Sequence, residues 1–244
     1  MSICDGNLIC IEFIGLPSSG KTRFYNTLLE DLDQKGKSAY SFRNLYRDLN
    51  STYSYNFRKK NPKFTVWYYF FKFFLKYPKY FLDVLKKILS LKPSTLSIKL
   101  TLLRFFIREG ASWRFYTGSK RNGFYISDEG FLHRLISYGY SKKLEQKVIK
   151  SYIDKCPPSD IVVFLKHTVN DVQSRRSYMS DYFCKLFNIT NEAKRIAELE
   201  SMSNNLQAIA LNLESRDLKL IELDNKTTEK QFLDLFYNTL KEIK

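Results

Sequence analysis

The stretch Gly15-Leu16-Pro17-Ser18-Ser19-Gly20-Lys21-Thr22 decides the fold of this chain. It fits the pattern G-x-x-x-x-G-K-[ST], in which every fixed position has a physical task. The glycines let the backbone wrap around phosphates, the lysine reaches the β/γ oxygens, and the threonine hydroxyl ligates Mg²⁺. A helix that opens at Lys21 adds its N-terminal dipole to the anion site. The expected nucleotide-binding set is therefore Gly15, Ser18, Ser19, Gly20, Lys21, Thr22 and Arg23, with ATP and Mg²⁺ as the ligands.

Working outward, Leu8 to Ile14 (LICIEFI) is an apolar run interrupted only by Glu12, and a helical pattern from Lys21 to Leu32 follows the loop. That is strand, loop, helix. Gly36 closes the helix, and Ala39 to Phe42 reads as a second strand. Further strands are expected at Phe124–Ile126, Ile161–Leu165 and Leu218–Leu223, and helices at Lys142–Lys155, from Val169, at Asn191–Leu213 and at Glu229–Ile243. Between about Leu45 and Lys120 there is helical periodicity alone, with breaks at Pro62, Pro78, Pro93 and Gly110. Strands alternating with helices imply an α/β protein, a P-loop NTPase three-layer fold with a largely parallel five-stranded sheet and a helical insertion. The core would comprise 1–45 and 121–244, with a lid near 169–180, and the insert 46–120.

Composition narrows the partners. Forty Lys and Arg against 25 Asp and Glu give a net charge of +15, which favours acidic partners such as nucleotide, nucleic acid or an anionic membrane. The four cysteines (Cys4, Cys10, Cys156, Cys184) form no Cys-x-x-Cys pair, and two histidines, His133 and His167, leave little from which to build a zinc site. Reduced thiols, the lack of a secretory leader pattern at Met1–Asn7 and the lack of a long apolar span lead to the expectation of a cytoplasmic protein, soluble or peripheral to a membrane.

Phe124-Tyr125-Ile126-Ser127 delivers Asp128 and Glu129 to the carboxyl end of a strand, where open α/β sheets place their ligands. A carboxylate there can hold Mg²⁺, and its neighbour can accept a proton from an attacking hydroxyl. Asp128, with Thr22, is the expected metal ligand, and Glu129 the expected base or acceptor-binding group.

These motifs resemble the P-loop kinases of the nucleoside and nucleotide kinase-like group, with thymidylate kinase as the nearest named relative. The resemblance implies that Arg108, on a helix about twenty residues before Asp128, binds the acceptor's phosphate, with Arg114 as a neighbouring candidate. It also implies that Val169 to Arg176 is a lid helix whose Arg175 and Arg176 stabilise charge on the transferring phosphoryl group. One departure stands out. Thymidylate kinases have Asp-Arg where this chain has Asp128-Glu129, so thymidylate is not the expected acceptor. The loop Asp224-Asn225-Lys226-Thr227-Thr228 imitates the start of a GTPase Asn-Lys-x-Asp element, but Thr228 replaces the Asp that reads guanine.

The insert is unusual. Lys63 to Arg108 carries ten Lys and Arg against the single acid Asp83, with thirteen aromatic residues. Basic residues interleaved with aromatics suit a membrane surface and, less well here, nucleic acid. Equally, Trp67, Phe70, Phe71 and Phe74 at helical spacing can be core, with the lysines a solvated face. The expected function is that of a phosphotransferase, with catalytic Lys21, Glu129, Arg175 and Arg176, acting on a small anionic, lipid-linked or polysaccharide-precursor acceptor. An ATP-hydrolysing switch whose insert binds membrane or nucleic acid is the alternative.

Overall fold

The computed structural model describes residues 8–45, 48–49, 62–91, 95–118, 121–138, 144–174, 184, 189–214 and 218–243. Its centre is a five-stranded sheet of β1 (Leu8–Gly15), β2 (Ala39–Ser41), β3 (Gly123–Ser127), β4 (Ile161–Leu165) and β5 (Lys219–Leu223), in spatial order β2-β3-β1-β4-β5. Every pairing is parallel. The motif-bearing strand β1 is the middle one. Each expected strand is present, within a residue or two at its ends.

Side chains alternate across a strand, and β1 separates two layers accordingly. Ile11 and Phe13 face α1 (Lys21–Gln34) and α9 (Glu229–Ile243), where Phe24, Leu28, Phe232 and Phe236 close one apolar cluster. Phe232 anchors it with ring contacts to Phe13 at 6.0 Å and Phe24 at 5.3 Å. Leu8, Cys10 and Ile14 face the other layer. That layer contains α2 (Pro62–Lys76), α3 (Pro78–Ser90), α4 (Leu96–Thr117), α5 (Phe131–Tyr138), α6 (Gln146–Lys155), the short α7 (Val169–Gln173) and α8 (Glu192–Glu214). Helices on both faces of a parallel sheet whose central strand runs through a tight loop into α1 constitute the P-loop NTPase three-layer fold.

The helices α2 to α4 share one apolar cluster with the sheet: Phe73 packs against Phe106, Trp113 and Phe131, and Tyr80 joins Phe73, Phe106 and Phe131 to Tyr152. Pro62 and Pro78 open helices, where their missing N–H costs nothing. Gly110 is a correction to the sequence reading, because it lies inside the continuous helix α4. A Cβ there would come within 2.7 Å of the Phe73 ring, so glycine permits the close crossing of α2 and α4. That close packing offsets the roughly 1 kcal/mol a mid-helix glycine costs. The aromatic stripe of α2 also divides differently from the core reading: Phe70 is buried, but Trp67 and Phe71 are more than half exposed.

Candidate active site

The loop after β1 is shaped for an anion. Ser18 and Gly20 take left-handed backbone conformations, at φ 58° and 95°, turning successive N–H groups inward in the manner of a nest. Helix α1 has no side-chain cap and no acidic residue in its first turn, so its first N–H groups and dipole remain for a ligand. Lys21 Nζ lies inside the loop, donating to the Gly15 carbonyl at 2.9 Å and the Leu16 carbonyl at 2.8 Å. Burial lowers its pKa while Glu129 and Asp128 pull it back up. Among the described residues Ser19 Oγ is buried without a hydrogen-bond partner, a polar atom suited to a ligand oxygen. Thr22 is exposed in the first helical turn. Arg23 is on the outer side of α1 and pairs with Glu229 at 2.6 Å.

The β1–β3 register sets the second half of the site. Ser127 lies opposite Glu12, so Asp128 and Glu129 emerge beside the last turn of β1, just before the loop begins. Asp128 is bound by Arg43, from the 3₁₀ turn Phe42–Asn44 that follows β2. Glu129, half exposed, has Arg134 Nη1 at 3.8 Å. Burial raises its pKa, but His133, Lys21, Arg134 and Arg43 together outweigh that and leave it lowered, so its carboxylate is ionised at neutral pH.

A buried polar layer underlies this surface. Glu12, on the central strand, accepts the His133 backbone N–H at 3.0 Å and the Ser159 hydroxyl at 3.3 Å. Burial, with the nearby Glu109 charge, pushes its pKa up to about 8. Glu109, on α4, pairs with Arg134 at 3.2 Å; burial, opposed by Arg134 and reinforced by Glu129 and Asp128, puts its pKa at about 7. A cavity of ≈ 10 Å³ between Glu12, Glu109, Ser127 and Ser159 is sized for about one water molecule. His133 is fully inside, its pKa lowered to about 4 by burial and then by Lys21 and Arg134.

Among the expected site residues, the fold thus gathers the loop residues, Asp128 and Glu129. Arg108 lies with its guanidinium 4.8 Å from the Phe42 ring, next to Arg43 and hence at the same end of the sheet. Arg114 is six residues further along α4, about 9 Å in helical rise, and folds back against Gly118 at the helix C-terminus. Arg175 and Arg176, with the second half of the expected lid, lie outside the described residues. Arg43, Arg134, His133, Glu109 and Glu12 were missed by the sequence reading. Only Glu12 left a signal, as the lone charge in a strand that is otherwise apolar.

No family model matches the chain, and no curated protein is significantly similar to it. Solved structures are similar at a distance. A deoxyadenosine kinase from M. mycoides with products dCMP and a flexible dCDP bound is 16% identical, over 97% of this chain and 100% of that one, with a TM-score of 0.49. The deoxyadenosine kinase with bound dCTP aligns at 13% identity, covering 96% of this chain and 100% of that one, with a TM-score of 0.44. With bound dATP it aligns at 14% identity, over 96% and 100%, with a TM-score of 0.43.

Proposed function

We propose that the protein is a P-loop phosphotransferase that moves the γ-phosphoryl group of Mg·ATP to a hydroxyl or phosphate of a small acceptor. The observation that carries this reading is the meeting of two carboxylates and three cations at one sheet end: Asp128 and Glu129 with Lys21, Arg43 and Arg134. Catalysis of phosphoryl transfer is mostly positioning and charge stabilisation. In this reading the loop N–H groups hold the nucleotide phosphates, and Lys21 exchanges its two loop carbonyls for β/γ oxygens. Glu129, kept ionised by its cationic neighbours, accepts a hydrogen bond from the acceptor and then its proton.

Mg²⁺ usually takes only one or two protein oxygens, the rest coming from phosphates and water. Thr22 and Asp128 fit that sparse set, and among the described residues no cluster of three His, Cys, Asp or Glu offers a dedicated metal cage. Bound there, the metal supplies charge neutralisation on the transferring group. Arg43, on Asp128, and Arg108, against the ring of Phe42 next to Arg43 in sequence, are the cations proposed for an anionic acceptor. Among the described residues, none at the site argues for a lipid-linked or polysaccharide-precursor acceptor. Arg175 and Arg176 remain the proposed lid arginines on the strength of the family resemblance alone.

The test is ADP release from Mg·ATP, measured with protein alone and with pooled nucleosides, nucleotides and sugars. Mass spectrometry of the pool should reveal one compound gaining a phosphoryl group. Turnover that no acceptor stimulates would sink the phosphotransferase reading.

A further inference from the structure

Helices α2 and α3 carry an apolar surface that the core does not use. In α2 the buried side is Val66, Phe70 and Phe73, while Phe64, Trp67, Phe71 and Leu75 are each more than half exposed. Their spacing of three, four and four residues places those four on one stripe. In α3, Tyr80, Val84 and Ile88 are buried, and Leu82 and Leu89, seven residues apart, are again more than half exposed. Ring contacts from Phe71 to Phe74 at 6.2 Å and from Phe74 to Phe81 at 4.9 Å join the two helices beside Leu82. Lys99 Nζ, donating to the Leu89 carbonyl at 2.6 Å, brings in the first turns of α4, where Leu96 and Leu100 are also exposed. Exposed apolar groups on this scale mark an interaction surface when they are contiguous.

The stripe is edged with cations. Lys72, Lys76, Lys79 and Lys86 are exposed on the same two helices, within a helical turn of the stripe residues. Lys72 lies against the Tyr68 ring at 4.5 Å and Lys76 against the Tyr77 and Trp113 rings at 5.9 and 5.5 Å, contacts that leave their charge in place. Lys87 is excluded from this rim, because it turns to Asp83 at 2.7 Å. Asp83 is the only acid between Lys63 and Arg108, so the rim keeps its positive potential. A two-fold contact with a second copy would bring two rims of like charge together, which disfavours self-association. Single-stranded nucleic acid stacks on aromatic faces, whereas Leu75, Leu82, Leu89, Leu96 and Leu100 make most of this surface aliphatic. Among the described residues no helix is long and apolar enough to cross a membrane.

We propose that the outer face of α2 and α3, with the first turns of α4, docks onto an anionic phospholipid surface, the apolar stripe entering the headgroup boundary and the lysine rim facing the lipid phosphates and carboxylates. Helices of this kind lie in the interface, and each lysine near an anionic leaflet strengthens the attachment severalfold. The proposal is independent of the catalytic reading.

Co-sedimentation with vesicles tests it, using equal parts phosphatidylcholine and phosphatidylserine against phosphatidylcholine alone. Binding is expected to the mixed vesicles at low salt and to fall at least about tenfold in the neutral vesicles, or when Lys72, Lys76, Lys79 and Lys86 are changed together to Gln. Phe71→Ser with Leu75→Ser should weaken it comparably. The chain provides its own reporter, because Trp113 is buried and Trp67 is exposed. Trp67 emission should shift to the blue on mixed vesicles, and Trp67→Phe should remove the shift while sedimentation persists. All of these positions are exposed, and far-UV circular dichroism with thermal melting serves as a check that each variant is folded. Failure of the wild-type protein to sediment at low salt overturns the proposal. Sedimentation untouched by both variant sets, or binding to single-stranded DNA in place of vesicles, does so too. A dimer that Phe71→Ser dissociates, with no vesicle binding, would assign the face to a second copy instead.

Discussion

The imidazole of His133 closes on the backbone of Gly15, with Nε2 and the carbonyl oxygen 3.0 Å apart. A carbonyl can only accept, so the proton is on Nε2, and the pKa of about 4 keeps the ring neutral in that tautomer. Gly15 O also accepts from Lys21. When Lys21 turns to a nucleotide phosphate, His133 is the donor left to satisfy that buried oxygen. His133→Leu is therefore expected to raise the Kd for Mg·ATP by roughly tenfold or more, the scale of an unsatisfied carbonyl. Calorimetric titration measures it, and an unchanged Kd would remove His133 from the loop's support.

Lys21→Ala should abolish acceptor-dependent turnover and the thermal shift induced by Mg·ATP, because no other lysine reaches into the loop among the described residues. The fold itself should survive, since the replaced ammonium is destabilised by burial. Circular dichroism and a nucleotide thermal-shift assay separate these outcomes; a variant that still turns over ATP at the wild-type rate contradicts the assignment.

Glu129→Gln preserves size and removes the proton acceptor. Turnover is expected to fall by roughly 10² to 10⁴, the usual weight of general acid–base catalysis, with nucleotide affinity little changed. Loss of Mg·ATP affinity at constant kcat would instead make Glu129 part of the ligand-binding set.

Glu12 makes stability depend on pH. Its folded pKa of about 8 exceeds the ordinary value of 4.5, so between these values the folded state binds more protons than the unfolded one and stability falls as pH rises. The contribution is intact below pH 4.5 and is lost through pH 8, a change of roughly 4 kcal/mol at that end. Glu12→Gln imitates the protonated acid, accepting from His133 and donating to Ser159. Denaturant melts should show the two proteins matched near pH 4.5 and the variant progressively more stable toward pH 8. Parallel pH profiles would show that Glu12 titrates normally.

Gly130 faces the same carboxyl group. A Cβ at Gly130 would lie 2.6 Å from the Glu12 carboxyl carbon, so Gly130→Ala should destabilise the protein by about 1–3 kcal/mol through overpacking. Combining it with Glu12→Ala relieves that overlap, and the double-mutant cycle should show a coupling above about 0.5 kcal/mol. Additive effects would mean that the neighbouring backbone moves aside freely.

Taken by itself, the sequence determined the features that short spacings encode. The tight loop and helix after β1 follow from eight consecutive residues, the strands from apolar runs such as Ile161–Leu165, and helix α9 from a pattern read to its observed ends, because all of these depend on neighbours along the chain. The placement of Asp128 and Glu129 at the carboxyl end of β3 was legible for the same reason, because a strand's end is a local feature. Tertiary structure alone decided which cations meet those carboxylates. Arg43 arrives from the turn after β2 and Arg134 from α5, and their convergence depends on strand order and register, so the reading along the chain could place neither of them beside Asp128 and Glu129. The insert divided on the same principle. Periodicity gave α2 an aromatic surface, but only the crossing at Phe73 and Gly110 fixed which side was buried and left Trp67 and Phe71 facing solvent.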